Sequence, residues 1–126
     1  MKEYSFEKLG VWKESRKLSL KVYKLTAKFP VEERYVLTSQ MRRAVTSVCS
    51  NLAEGVSRVS FKDQARFSEI SFGSLMELLC QAILSSDLLF MTNDELKDLR
   101  KDVDTIGYQI NELKKSQLER YTSGNQ

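Results

Sequence analysis

Residues 61–89 read FKDQARFSEISFGSLMELLCQAILSSDLL, and apolar or small side chains recur in them at steps of three and four residues for four heptads. A second row of Met76, Ile83 and Phe90 runs beside the first, so the segment predicts a long helix with a broad buried face. Ser60 and Asp63 have the spacing of an N-cap at its start. The first row consists of Phe61, Ala65, Ser68, Phe72, Leu75, Leu79, Ala82, Ser86 and Leu89.

The same period appears in three other segments, so the sequence predicts four helices, at about residues 9–29, 37–55, 61–91 and 93–118. Pro30 ends the first helix, and Gly55 is placed as the C′ residue of the second. Thr92 and Glu95 have the spacing of a capping box at the start of the fourth. The predicted core positions are Val11, Ser15, Leu18, Val22, Leu25 and Phe29 in helix one; Leu37, Met41, Ala44, Val48 and Leu52 in helix two; and Leu96, Leu99, Val103, Ile106, Ile110 and Leu113 in helix four.

The composition favours long helices with short connections, because the 126 residues include one proline and five glycines. Four such helices pack as an all-α, antiparallel up-down-up-down four-helix bundle. We expect one domain over residues 1–120 and a disordered tail over residues 121–126.

The residue types present argue against catalysis. The chain has no histidine, which removes the commonest general base and the Glu-x-x-His ligands of di-iron bundles. Cys49 and Cys80 lack the spacing of a zinc site, and we expect both to pack as small hydrophobic side chains. We therefore predict a protein that is not an enzyme and that needs no cofactor or metal. A deep cavity lined by two arginines and Glu77 would favour an enzyme instead.

No segment of the sequence resembles a membrane anchor. The longest apolar run, Leu88–Met91, is far shorter than the roughly 20 residues that span a bilayer. The charged start, Met1–Tyr4, leads into no signal-peptide core. We expect a cytoplasmic protein without membrane contact.

Positive charge is concentrated in the first half of the chain. Residues 1–60 carry twelve Lys and Arg against six Asp and Glu, whereas residues 61–126 carry eight against eleven. Five lysines of helix one fall within an arc of about 80°, which indicates a face that could follow a phosphate backbone. A merely solvated face is the alternative. The predicted nucleic-acid-binding residues are Lys13, Lys17, Lys21, Lys24, Lys28, Arg42, Arg43, Arg58, Lys62 and Arg66.

A second semi-apolar face on helix one consists of Trp12, Ser19, Tyr23 and Thr26. Trp and Tyr are favoured in protein interfaces, so we predict a subunit contact here, with packing at the bundle edge as the alternative.

An internal polar set is predicted from Asn51, Glu54, Gly73, Ser74, Glu77 and Gln81. The small residues Gly73 and Ser74 would let a neighbouring helix approach closely. Buried polar side chains of this kind often fix register and partner choice. Arg42 and Arg43 point about 100° apart, so one of them is expected to pair with Glu54 or Glu77 and the other to be free for a ligand.

Several motifs resemble a known family in order and spacing. They include Phe6–Leu9 with Val11–Trp12, Val22–Thr26 with Phe29–Pro30, Gln40–Ala44, Asn51–Gly55, and Gly73–Ser74 with Glu77, Leu78 and Gln81. Over about residues 5–90 the chain resembles the four-helix-bundle proteins encoded in intervening sequences of bacterial 23S rRNA genes. That family is related to the accessory variability determinant of diversity-generating retroelements. This chain departs from it at Val36, where many members carry glycine, and at Ser71–Phe72, where alanine is usual.

The resemblance implies a bacterial homo-oligomer, namely a pentameric ring of four-helix protomers. For the retroelement relatives it also implies binding of nucleic acid and of a reverse transcriptase. We therefore predict a non-enzymatic, homo-oligomeric protein that binds RNA or DNA through a basic surface. The alternative is a protein–protein scaffold that docks an acidic partner without nucleic acid.

Overall fold

The structure is a computed structural model that describes residues 1–124. Within that range the chain forms four α-helices, two short 3₁₀ helices and no strand, so the predicted all-α fold class is confirmed. The 3₁₀ helices, Ser5–Lys8 and Val31–Glu33, precede the first and second α-helices. The α-helices are α1 (Gly10–Thr26), α2 (Leu37–Val56), α3 (Phe61–Asp87) and α4 (Asn93–Thr122).

The four helices form the predicted antiparallel bundle. Each packs against the next along the chain, and α1 also meets α4, so that the bundle closes. The pairs α1–α3 and α2–α4 make no close backbone contact and lie on the diagonals. Short connections join each helix to its neighbour, which gives the up-down-up-down order.

The core lies on the inner faces of all four helices. Most of the predicted positions are buried. Met76 and Leu89 were predicted in the buried rows of α3 but are exposed, at 37% and 88%. The half-buried positions are Leu25, Phe61, Phe72, Leu79, Ile83, Phe90, Leu96 and Leu113. Two apolar residues outside the predicted rows are also fully buried, namely Val45 and Leu78. The largest fully buried side chains are Leu18, Met41, Leu52, Leu75, Leu78, Leu99, Ile106 and Ile110.

Both predicted helix starts are confirmed. Ser60 Oγ accepts a hydrogen bond from Asp63 N at 3.1 Å at the start of α3. Thr92 Oγ1 accepts from Glu95 N at 3.1 Å, and Glu95 Oε1 accepts from Thr92 N at 3.0 Å, which completes the capping box of α4. These caps satisfy backbone donors that a helix leaves without partners.

The end of α3 differs from the prediction, because the helix stops at Asp87 and not at residue 91. Phe90 N donates to Ser85 O at 2.8 Å, and Leu89 N donates to Ser86 O at 3.0 Å. These two bonds form a Schellman motif, which requires a left-handed residue at its C′ position. Leu89 occupies that position with φ 67°.

Three other boundaries also differ. The helix α1 ends at Thr26, because Lys28 N and Phe29 N bond to carbonyls three residues back and tighten the last turn before Pro30. Gly55 is a buried residue inside α2 and not its C′ residue. The helix α4 continues to Thr122, so Tyr121 and Thr122 are helical and not part of a tail. Of the predicted tail, residues 125 and 126 lie outside the described residues.

Candidate nucleic-acid interface

Contacts with α4 separate the five predicted lysines into two that pair with that helix and three that do not. Lys21 Nζ donates to Asp102 Oδ2 at 2.5 Å and to Asp98 Oδ2 at 2.7 Å. Seven residues further on, Lys28 Nζ donates to Glu95 Oε2. These two of the five predicted phosphate-binding lysines therefore hold α1 against α4.

The ion pairs of this seam change the ionisation of its groups. The hydrogen bonds to Asp102 and Asp98 raise the pKa of Lys21 above 10.5. The hydrogen bond from Lys28 lowers the pKa of Glu95 below 4.5, and the backbone of Thr92 adds to this effect. The hydrogen bond from Lys21 likewise lowers the pKa of Asp98. Each shift favours the charged form, so the seam stays ionised at neutral pH.

The remaining lysines lie on the outward face of α1. Lys13 and Lys24 are exposed, and neither has a carboxylate partner within residues 1–124. Lys17 Nζ is 3.8 Å from Glu14 Oε1, and both side chains are exposed, so this pair is weak. Arg16 belongs to the same face, where its guanidinium lies 5.7 Å from the centre of the Trp12 ring. Arg16 was not among the predicted site residues, although the helical period places it beside Lys13.

Arg42 and Arg43 have different roles. Arg42 Nε donates to Thr26 Oγ1 at 2.9 Å, and its Nη2 donates to the Tyr23 carbonyl at 3.3 Å. Its guanidinium also lies 4.5 Å from the centre of the Tyr23 ring. Arg43 points outward and is exposed, and its Nη2 donates to Ser39 Oγ at 3.4 Å. Arg42 therefore joins α1 to α2, whereas Arg43 is available to an external group.

A cavity with a volume of about 380 Å³ opens beside these arginines, where α1 ends and α2 begins. None of the residues that line it is acidic. Arg34 and Tyr35, from the connection between the helices, were not among the predicted site residues. The lining consists of Tyr23, Arg34, Tyr35, Thr38, Ser39, Arg42, Arg43 and Thr46.

The other three predicted cations lie at the opposite end of α2. Arg58 Nη2 is 2.6 Å from Glu54 Oε2, and Arg66 Nε is 3.9 Å from Asp63 Oδ1. Both guanidinium groups also lie against the Phe67 ring, at 4.7 and 4.6 Å from its centre. Lys62 stands over Tyr121 at 5.9 Å. The ten predicted residues thus form separate groups and not one surface.

The predicted subunit face of α1 is largely occupied within the chain. Thr26 is 2% exposed and bonded to Arg42. Ser19 Oγ donates to the Ser15 carbonyl and contacts Cys49 Sγ at 3.4 Å. Trp12 is half-buried and meets Phe6 edge to face at 4.9 Å. Only Tyr23 keeps a large exposed part, 42%.

The predicted internal polar set is only partly assembled. Asn51 Nδ2 donates to the Ser47 carbonyl at 2.8 Å, and the Ser47 and Ser74 hydroxyls are 2.8 Å apart. Gln81 is buried, but its Oε1 has no partner within the described chain. The other three members, Glu54, Gly73 and Glu77, are exposed.

A buried hydrogen bond that was not predicted joins α3 to α4, where Ser68 Oγ donates to Gln117 Oε1 at 2.6 Å. Gln117 lies beyond the last predicted core position of α4. Its periodic spacing from Ile110, seven residues earlier, is the signal that could have identified it.

The helix α3 has an apolar outward side. Among the described residues it is the one helix long and apolar enough by composition to cross a membrane, with 39% of its most apolar stretch buried. Its inward face packs on α2 and α4. Its outward side exposes Ile70, Leu84 and Leu88, at 41%, 49% and 55%. The high mean hydropathy of α3 therefore arises because apolar residues lie on its inward face and also on its outward side.

Comparison with known proteins relates the chain to one family. The model of that family, the 23S rRNA-intervening sequence proteins, matches residues 7–112. Comparison with curated proteins finds no match. A solved structure from Bacteroides thetaiotaomicron, a protein of unknown function from the S23 ribosomal protein family, has 21% sequence identity and a TM-score of 0.76. The likeness covers 83% of this chain and 98% of that one, and at this identity it shows the fold alone. The chain belongs to the 23S rRNA-intervening sequence protein family.

Proposed function

We propose that the protein is a non-enzymatic, homo-oligomeric nucleic-acid-binding protein that contacts the phosphate backbone of RNA or DNA. The contact is made by a surface that we call the basic face. It consists of cations on α1, in the connection that follows it and on α2, most of them free of carboxylate partners. Its members are Lys13, Arg16, Lys17, Lys24, Arg34 and Arg43.

The proposal depends on one observation. Two of the predicted lysines pair with carboxylates of α4, whereas the others on α1 lack partners on that helix. Residues 10–53 contain nine Lys and Arg but only three Asp and Glu. Lys21 and Lys28 are paired with carboxylates of α4 at the surface of the bundle. The cations of the basic face instead point outward, where they raise the local potential and attract a polyanion. Lys13 and Lys24 are about 16 Å apart along α1, which matches an extended contact and not a single ion.

The family adds independent support. Its name refers to intervening sequences of 23S rRNA, and for the retroelement relatives the resemblance implies nucleic-acid binding. On this proposal the protein acts in the bacterial cytoplasm, where RNA and DNA are accessible. Self-association is supported by the exposed apolar side chains of α3, which a second copy would cover.

The proposal is tested by measuring the binding of structured RNA and duplex DNA across a salt series, with the mass determined by light scattering. We expect an oligomer, with a mass of five chains of 14.6 kDa if the ring implied by the resemblance forms. We expect its affinity to fall steeply with salt, by a slope of about −0.9 for each duplex phosphate contacted. A monomer, or an absence of binding at low salt, would overturn the corresponding part.

A pair of charge reversals identifies the surface. Lys13→Glu with Lys24→Glu should weaken binding at least about tenfold and reduce the salt slope by about two contacts. The matched control is Lys97→Glu with Lys115→Glu on α4, which changes the net charge equally at exposed positions. Equal loss in both double variants would mean that only net charge matters. Tight binding of an acidic protein, with no binding of nucleic acid, would favour the scaffold function.

A further inference from the structure

The cavity between α1 and α2 is open to solvent, and its lining is polar and positively charged. Its volume of about 380 Å³ lies within the range of small-molecule sites. Three arginines, two tyrosines and three hydroxyl side chains line it, and no carboxylate does. Glu33, in the connection before α2, accepts a hydrogen bond from Leu37 N through its Oε1 at 3.5 Å, so its carboxylate is engaged at the start of α2.

The three arginines of the cavity differ in how they could bind an anion. Arg42 is already fixed by its bonds to Thr26 and to the Tyr23 carbonyl, so it contributes a rigid positive charge at the cavity wall. Arg34 has no ion-pair partner within residues 1–124, and Arg43 is bonded only to a serine hydroxyl. Both are exposed, so their planar donor groups are free to bind phosphate oxygens in pairs.

The first turn of α2 adds donors to the same place. Its N-cap, Val36, has no side-chain cap bond. The first intrahelical donor is Gln40 N, which bonds to the Val36 carbonyl. The amides of Thr38 and Ser39 are therefore left without an intrahelical acceptor, and both residues line the cavity. Together with the arginines, these donors favour a phosphate group.

The two tyrosines indicate a ligand that carries an aromatic base in addition to a phosphate. Tyr35 is 84% exposed at the rim, and its ring has little intramolecular contact to lose. Tyr23 is partly exposed beneath the Arg42 guanidinium. An exposed aromatic ring next to a phosphate site is the arrangement on which unpaired bases stack. Bases in a duplex are already stacked on one another and would not reach Tyr35.

We infer that this cavity binds single-stranded nucleic acid, with one backbone phosphate between Arg34 and Arg43 and a neighbouring base stacked on Tyr35. This inference rests on the proposed function, because it assigns one kind of strand and one site to it. It differs from that function in predicting a preference for unpaired strands.

The inference is tested with a labelled single-stranded RNA of about twelve nucleotides, within the site size of single-strand-binding modules, and with the corresponding duplex. Binding is followed by fluorescence anisotropy. Tyr35→Ala should weaken single-strand binding by about fivefold or more, because a stacked base contributes that much or more to affinity. It should leave duplex binding within about twofold. The matched variant Tyr35→Phe keeps the ring and should bind single strands like the parent protein.

The arginines are tested in the same assay. Arg34→Ala with Arg43→Ala should weaken single-strand binding at least about tenfold and lower the salt slope by about 0.7, the value for one phosphate of a single strand. The control is Lys97→Ala with Arg100→Ala on α4. Unfolding midpoints should match the parent protein in all variants, because the exchanged side chains are exposed.

The outcomes separate the two proposals. If the parent protein binds duplex and single strands equally, or if Tyr35→Ala binds single strands as the parent does, the inference fails and the proposed function stands. If the parent binds neither, both fail. In that case a titration with inorganic phosphate, followed by NMR at the Thr38 and Ser39 amides, shows whether the cavity binds a small anion only.

Discussion

A β-carbon built on Gly55 would lie 2.9 Å from the β-carbon of Phe67, so α2 and α3 approach each other there at a distance that only glycine allows. The neighbouring atom is close to the α3 backbone and cannot swing away like the end of a long side chain. Gly55→Ala should therefore force the two helices apart. Gly55 serves this contact and not the left-handed helix end that its position in the sequence indicated.

We predict that Gly55→Ala lowers the free energy of unfolding by about 1–3 kcal/mol, the cost of overpacking a close contact. This holds although alanine favours a helix over glycine by about 1 kcal/mol. Urea unfolding followed by circular dichroism measures the change. The matched control is Gly73→Ala in the exposed face of α3, where nothing lies within 4 Å of the added carbon. That variant should gain about 0.5–1 kcal/mol.

Gly73→Ala also reports on self-association. A stabilised variant with the mass of the parent protein would place Gly73 outside any subunit contact. A loss of mass in light scattering would instead show that another chain packs closely against this residue.

Arg42 and Arg43 should differ in their contribution to stability. Arg42→Ala removes two hydrogen bonds and the ring contact that join α1 to α2, so we expect a loss of about 1–3 kcal/mol. Arg43→Ala is expected to change stability by less than about 0.5 kcal/mol, because Arg43 is exposed. Thermal and urea unfolding of both variants measure this difference. Equal losses would show that the assignment of Arg42 as the structural arginine is wrong.

The seam between α1 and α4 should make stability depend on pH. The bond from Lys28 lowers the pKa of Glu95 in the folded protein below 4.5. The contribution of Glu95 to the free energy of unfolding is thus fully present above pH 4.5, and it is lost as the pH falls through the lowered pKa. The pKa of Lys21 is raised above 10.5, so its contribution is present below that value and is lost as the pH rises through the raised one.

The variant Glu95→Gln tests how much of the loss of stability at acidic pH is due to Glu95. Glutamine keeps the capping box with Thr92 but removes the charge that pairs with Lys28. We expect the variant to lose about 1 kcal/mol or less at pH 7, and to lose less stability than the parent between pH 5 and pH 3. Urea titrations at several pH values measure both effects. Parallel curves for the two proteins would contradict the assignment.

The turn between α3 and α4 contains a strained residue. Leu89 adopts φ 67°, a conformation that favours glycine because a β-carbon crowds the backbone there. Leu89→Gly should raise the free energy of unfolding by about 1 kcal/mol. The control is Leu88→Gly, since Leu88 has φ −84° and glycine brings only added chain entropy at that position. Thermal unfolding distinguishes the two, and destabilisation by Leu89→Gly would contradict the account of the turn.

The same turn shows where the sequence was misleading. The helices were predictable because apolar residues at steps of three and four, with caps at Ser60 and Thr92, depend on local chemistry alone. The end of α3 was missed because leucine stands where a Schellman motif usually carries glycine, and the apolar run Leu88–Met91 imitates a continued helix. Tertiary packing of Phe90 against Phe29, with ring centres 5.7 Å apart, favours the turn.

The candidate site was less predictable, because partners distant in sequence decide which cations are free. Nothing near Lys21 in the chain indicates Asp98 and Asp102, which are 77 and 81 residues away. The helical period alone placed Lys21 with the outward lysines. The cavity was missed for a related reason, since Arg34 and Tyr35 lie in an irregular connection whose course no periodicity describes.

The pairing of α1 with α4 has a consequence for the order in which the protein is made. Lys21 and Lys28 receive their carboxylate partners from α4, which leaves the ribosome after the other three helices of the bundle. Until α4 emerges, Lys21 and Lys28 lack those partners, and the nascent chain lies next to a polyanionic ribosome surface. The growing chain is therefore more basic along the row of five predicted lysines than the folded bundle, and completion of α4 is the step that pairs two of those charges with carboxylates.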